Sequence, residues 1–144
     1  LDEIVWAINP QNDDMDKMLQ RMTTYVKELA RLTEKSITIR IDNKASDLKL
    51  QLEQRKNIYL IFKEALNNAL KYADSEHIRV NVRLNGNTLH LKIEDDGKGF
   101  DLQAEKEGNG IRNMQRRADE IGGKFRILSA ENKGTAIELE ATIT

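Results

Sequence analysis

Residues 78–94 run Ile78-Arg79-Val80-Asn81-Val82-Arg83-Leu84-Asn85-Gly86-Asn87-Thr88-Leu89-His90-Leu91-Lys92-Ile93-Glu94. On either side of Asn85-Gly86-Asn87, apolar and polar residues alternate. A period of two places one face of each run on a core and the other in water. The Asn-Gly centre tolerates the positive φ of a tight turn, so the stretch predicts a β-hairpin. The same alternation appears in Ile37, Ile39 and Ile41 within Ser36–Asp42. It recurs in the two last runs, Lys124–Ser129 and Thr135–Ile143, joined by Glu131-Asn132-Lys133-Gly134. A sheet buried on both faces reads instead as continuous apolar runs. All five strand candidates keep a polar face, so helices should cover one side of the sheet and water the other. That is a two-layer α/β (α+β) sandwich, not a doubly wound fold. The chain has no G-x-x-x-x-G-K-[ST] loop. Neither Gly97-x-Gly99 nor Gly108-x-Gly110 completes G-x-G-x-x-G.

The helices follow. Asp13 and Asp14 are placed to cap a helix start. Met15, Met18, Leu19, Met22, Val26 and Leu29 then recur at three- and four-residue spacing, which predicts an amphipathic helix to about Thr33. A second helix is expected from about Gln54 to Ala73, with Ile58, Phe62, Ala65, Leu66 and Ala69 on its apolar side. A third should run from about Ile111 to Ile121 and stop at Gly122-Gly123. Residues 95–110 have no periodicity and hold Gly97, Gly99, Gly108 and Gly110, half of the chain's 8 glycines. With 144 residues the chain is the size of one domain. No apolar run approaches the ~20 residues of a membrane-spanning helix.

Composition removes several function classes. With no cysteine there is no disulfide scaffold, thiolate zinc site or cysteine nucleophile, and 2 histidines cannot build a His-rich metal site. A net charge of -1 gives no footing for nucleic-acid binding, so no nucleic acid is expected as a partner. His77 and His90 have no acidic partner at an obvious spacing and read as surface residues.

Three places hold residues suited to chemistry. At 100° per residue, Glu64, Asn68 and Lys71 share a narrow wedge of the second helix, flanked by Asn67 and Tyr72 and lying opposite the apolar side. The wedge is either a solvated helix face or a magnesium-phosphate site. For the latter, one Asn carbonyl oxygen suffices and a lysine meets the phosphate charge. Two adjacent asparagines in mid-helix are locally costly, which favours a function. Glu94-Asp95-Asp96-Gly97-Lys98-Gly99-Phe100 leaves a strand. It is either an Asp- and Gly-rich turn or a carboxylate that accepts from the exocyclic amino group of adenine, with glycines that let backbone approach the base. Gly108-Asn109-Gly110 opens a helix, whose free N–H groups suit phosphate. Lys133-Gly134-Thr135 reads as a hairpin turn.

Taken in order, these segments resemble a known superfamily, that of the gyrase, chaperone, histidine-kinase and mismatch-repair ATPases. Phe62-Lys-Glu64-Ala-Leu-Asn-Asn68-Ala-Leu-Lys71-Tyr72-Ala resembles its asparagine box, and Asp95-Asp-Gly97-Lys-Gly99-Phe its first glycine box. Gly108-Asn-Gly110-Ile-Arg-Asn-Met resembles the second glycine box, and Lys133-Gly134-Thr135-Ala136 the final Gly-Thr box. The match covers about Arg55 to Ile143 and is most similar to the sensor histidine kinases. It implies a Bergerat-type fold with a mixed, mostly antiparallel sheet. It also implies ATP and Mg²⁺ as cofactors and transfer of a phosphoryl group to a protein histidine. Asp95 would read adenine, Asn68 would bind Mg²⁺, Lys71 would contact phosphate and Tyr72 would flank the nucleotide. Gly97, Gly99, Gly108 and Gly110 would hinge and shape a lid over 100–110, and Thr135 would support the adenine side. Glu64 would orient or polarise the acceptor histidine, as part of a catalytic set with Asn68 and Lys71.

The resemblance also implies a division of the chain. Residues 1–12 would end a dimerisation helix and linker, and 13–144 would form the catalytic ATP-binding domain. Starting at Leu1, the sequence is expected to be a piece of a longer chain. The acceptor histidine would then lie upstream on a dimerisation domain, in a homodimeric sensor that relays phosphate to a response-regulator receiver domain. A cytoplasmic domain of an inner-membrane-anchored bacterial sensor is the expected setting. An anti-sigma-factor-type serine kinase shares the fold, and a degenerate partner-binding domain would keep it without nucleotide.

Overall fold

The computed structural model describes residues 9, 13–43, 48–72, 75–99, 109–130 and 132–144, with backbone alone for 43, 72 and 109. In chain order the elements are α1 (Met15–Thr33), β1 (Ser36–Asn43), α2 (Leu52–Tyr72), β2 (His77–Asn85) and β3 (Thr88–Asp95). Then come α3 (Asn109–Glu120), β4 (Lys124–Ser129) and β5 (Thr135–Thr142). The five strands form one sheet in the order β1-β2-β3-β5-β4. β1 runs parallel to β2, and the other three pairings are antiparallel.

The alternation expected from the hairpin is realised residue for residue. Ile78, Val80, Val82 and Leu84 are buried, as are Leu89, Leu91 and Ile93 on the partner strand. Val80 sits opposite Ile93, and Val82 opposite Leu91. The polar residues between them stay on the open face, where Arg79 and Lys92 reach Glu94, and Arg126 reaches Glu138.

Helix α1 starts where its cap predicts, with the Asp14 side chain accepting from the Asp16 N–H at 3.2 Å. It ends at Glu34, which takes a left-handed φ of 59° and donates its N–H to the Ala30 carbonyl. The segments before α1 and α2 are knitted together: Met15 N–H donates to Leu48 O at 3.0 Å, and Leu50 N–H to Asp13 O at 2.5 Å. Arg55, only 2% exposed, donates to Leu50 O at 2.9 Å and Asn9 O at 3.2 Å.

Helix α2 lies between two other helices. On one side, Tyr25 of α1 packs edge-on against Phe62 and Tyr59, with ring centroids 5.9 and 6.5 Å away. Its hydroxyl donates to Asn67 Oδ1 at 3.3 Å. On the other side, Arg117 of α3 donates to Asn57 Oδ1 at 3.3 Å. Asn57 and Ile61 share a helical face with Glu64 and Asn68, and both are fully buried. This corrects one expectation: the Glu64–Asn68 stripe is not the solvent side of α2 but part of its seam with α3.

Candidate functional site

Residues from α2 and α3 form one half of the site. Glu64 and Asn68 lie one turn apart on α2 and face Gly110 in the first turn of α3. A Cβ built on Gly110 would lie 2.5 Å from Glu64 Oε1, 3.1 Å from Asn68 Nδ2 and 3.5 Å from Asn68 Oδ1. The absent side chain therefore keeps a small cradle, with a carboxylate and an amide on one wall and the N-terminal turn of a helix on the other. Gly110 lies in the first turn of α3, where it allows close approach to Glu64 and Asn68. Lys71 follows on the same face of α2, exposed, in the last turn. Tyr72 ends the helix backbone. Gly108 lies outside the described residues, as do the lid positions 100–107 and most of the 1–12 segment.

The end of the sheet forms the other half. Asp95 closes β3 between Ile78 of β2 and Thr135 of β5. Its Oδ1 accepts from the Gly97 N–H at 2.8 Å. Burial pushes the Asp95 carboxyl above the ordinary aspartate range. Backbone N–H groups of Gly97 and Thr135 pull it back, and neighbouring Asp96 pushes it up further. Gly134, at φ +74°, passes so close to β3 that a Cβ would collide with the Asp95 carbonyl. Thr135 is held by Ser129, whose Oγ lies 2.8 Å from Thr135 Oγ1 and 3.3 Å from the Gly134 carbonyl oxygen. Gly99 threads past the Ala130 carbonyl at the same end.

The two halves meet through residues 75–77. Ser75, buried, donates to the Ala69 carbonyl of α2 at 3.4 Å. Glu76 N–H donates to Asp96 Oδ1 at 3.1 Å. The last turns of α2 and the end of β3 thus share one end of the sheet. Sequence reasoning missed Ser129, Asn57, Arg117 and Asp96, because their partners are distant in the chain. It also missed the acidic partners of both histidines: His77 Nδ1 lies 2.8 Å from Asp96 Oδ2, and His90 Nδ1 3.5 Å from Glu140 Oε1. Both histidines nonetheless sit on the sheet's exposed side. A depression of about 930 Å³ lies on that open face, lined by interleaved cations and acids, and includes none of Glu64, Asn68 and Asp95.

Such an arrangement suits a ligand with a base at the Asp95 end and anionic groups towards α2 and α3. Residues 53–143 match the family of histidine kinase-, DNA gyrase B- and HSP90-like ATPases. The chain belongs to this family. As an ATPase domain of that family it is an ATP-binding domain, and the four boxes fall within the matched region. It is 30% identical over 119 residues to the sensor protein VraS of Staphylococcus aureus, a match covering 82% of this chain and 34% of that protein. The VraS protein of Staphylococcus epidermidis is 29% identical over the same length. The chain thus spans about a third of the length of these relatives. Among solved structures, the ATPase domain is similar to the catalytic domain of histidine kinase ThkA, with TM-score 0.71 and 18% identity, over 91% of this chain and 94% of that one. It is also similar to the histidine kinase domain of the blue-light-activated kinase EL346 of Erythrobacter litoralis, with TM-score 0.68 and 21% identity, over 88% of this chain and 61% of that one. These likenesses match the two-layer sandwich and the mixed sheet.

The hard oxygen donors of the cradle also fit a magnesium ion. Among the described residues no group of three or more His, Cys, Asp or Glu could hold a metal alone. Mg²⁺ keeps much of its shell as water and phosphate oxygens and needs few protein ligands. Asn68 Oδ1, beside Glu64, is the protein oxygen that would serve such an ion.

Proposed function

We propose that this chain is the catalytic domain of a two-component sensor histidine kinase. It binds Mg-ATP and donates the γ-phosphoryl group to a histidine on a dimerisation domain upstream, for relay to a response-regulator receiver domain. The observation that carries this reading is the placement of Asp95 and Thr135 at one end of the sheet, with Glu64, Asn68 and Gly110 clustered where α2 meets α3 at that end. In this reading Asp95 accepts from the adenine amino group, with Thr135 beside it. Asn68 holds Mg²⁺ and Lys71 meets phosphate charge. The bound magnesium would screen the phosphate charge that builds during transfer. Phosphoryl transfer depends mainly on positioning and charge neutralisation, so Glu64 needs only to orient the incoming imidazole. No helix among the described residues is long and apolar enough to cross a membrane. That suits a cytoplasmic domain of a membrane-anchored sensor, acting as a homodimer through the upstream segment.

The test is calorimetric titration with a non-hydrolysable ATP analogue, with and without Mg²⁺, beside Asp95→Asn. Mg²⁺-dependent binding that disappears in Asp95→Asn is the expected result. Absence of binding by the folded wild-type chain would overturn the reading.

A further inference from the structure

We propose that Asp96 is a positioning residue that sets adenine selectivity by fixing Asp95 and joining the two halves of the site; this rests on the ATP-binding reading above. Its side chain points away from Asp95 and back across β2. Oδ1 accepts from the backbone N–H of Glu76 at 3.1 Å and of His77 at 3.0 Å, and Oδ2 lies 2.8 Å from His77 Nδ1. Its own N–H donates to His77 O at 3.2 Å, which extends the β2–β3 ladder one residue past Asp95. Four contacts therefore hold a residue that stands outside the regular strand. The carboxyl is kept below the ordinary aspartate range, first by the His77 N–H and ring and then by Glu76, despite its exposure.

Two consequences follow for the site. Asp95 is gripped on one side by Gly97, whose N–H orients its carboxylate, and on the other by the clamp at Asp96. Rotation of the backbone between 95 and 97 would disturb these contacts. The clamp also holds residues 76–77, and Ser75 next to them is bonded to Ala69 on α2, one residue from Asn68. Asp96 thus ties the helix that carries Asn68 and Lys71 to the strand end that carries Asp95. An exposed Asp in a strand-end turn would ordinarily act only through local turn bonds. Here its partners, Glu76 and His77, stand at the start of β2, 19 and 20 residues back along the chain.

The experiment measures the affinity of the chain for matched non-hydrolysable ATP and GTP analogues with Mg²⁺, for wild type, Asp96→Ala, Asp96→Asn and His77→Ala. A displaced Asp95 loses its contact with the adenine amino group but leaves phosphate binding largely intact. The expected result for Asp96→Ala is about tenfold weaker ATP-analogue binding, the scale of a charge-assisted hydrogen-bond set. GTP-analogue binding should change little, so the adenine preference narrows. Asp96→Asn, which keeps an oxygen for the two backbone N–H groups, should recover most of it. His77→Ala, which removes only the ring contact, should stay within about threefold of wild type. Equal weakening of both analogues, an unchanged preference, or an Asn variant no better than Ala would each overturn the role of Asp96. Should Asp96→Ala fail to fold, Asp96→Glu, which keeps the charge but misplaces it, must lose the preference in its stead. If wild type binds neither analogue, the ATP reading itself falls and takes this one with it. Wild-type preference with an unaffected Asp96→Ala sinks the Asp96 role alone.

Discussion

At Asp95 burial raises the carboxyl's pKa, whereas one residue on, Asp96 is lowered by the N–H groups and ring it accepts from. The sign has a consequence for ligand binding. A raised folded-state pKa means that Asp95 takes up its proton sooner on acidification than a free aspartate does. Only the ionised form is purely an acceptor. Affinity for the ATP analogue should therefore decline on acidification from a pH above the ordinary aspartate range, in titrations across acidic pH. Asp95→Asn should be weak and flat over that window. An ionised carboxylate with a raised pKa also opposes folding at neutral pH. The melting temperature of Asp95→Asn should then equal or exceed that of wild type, separating loss of binding from loss of fold. Gly110 makes a similar split. Alanine there gains some helix propensity, less than the about 1 kcal/mol of a helix interior, yet its Cβ would push aside Glu64 Oε1, the far end of a flexible side chain, and crowd the Asn68 amide. Gly110→Ala should be as stable as wild type in thermal melts and still bind Mg-ATP analogue more weakly. A stable variant with unchanged binding would remove the cradle from the site.

Helix α2 is the element on which most depends, because its two flanks serve different partners. The pair Asn67-Asn68, adjacent and costly in sequence, separates into two roles: Asn67 accepts from Tyr25 of α1, and Asn68 faces Gly110 of α3. The sequence made the wedge of Glu64 and Asn68 visible, since helical spacing is local. It did not show that α3 covers the wedge, since Asn57 and Arg117 meet only through tertiary packing. Arg55 shows the same limit. Nothing nearby in sequence marks it as buried, yet it donates to the carbonyls of Leu50 and Asn9 at the foot of α2. Removing it would take away both of these hydrogen bonds and open a void where the buried side chain lay. Arg55→Ala should cost about 2–4 kcal/mol in urea denaturation. A change under about 1 kcal/mol would mean that the foot of α2 relaxes around the loss.

Across the whole molecule, the pattern of period two fixed which face of the sheet is wet, and the hairpin at 78–94 could be read directly. The parallel pairing of β1 with β2, and the insertion of β5 between β3 and β4, left no local signature, because they are settled by which strands the helices can cover together. The same non-local arrangement brought Gly134 against Asp95 and acids beside both histidines. It also decides where phosphate cannot go. His77 stands at the Asp95 end of the sheet, proposed to read the base, one residue before Ile78, the register partner of Asp95, with Nδ1 committed to Asp96. His90 lies mid-strand on the open face beside Glu140, on the far side of the sheet from α2. In the proposed reading, transfer needs an imidazole nitrogen in line with a γ-phosphate near Asn68 and Lys71, and rigid strands offer neither histidine a route there. Incubated with Mg-ATP, the chain should carry no phosphohistidine when analysed by mass spectrometry at neutral pH, where the modification survives. Adding a dimerisation segment that bears an acceptor histidine should produce label on that segment alone. Phosphate found on His77 or His90 would place the acceptor within this domain and reverse the division of labour proposed for it.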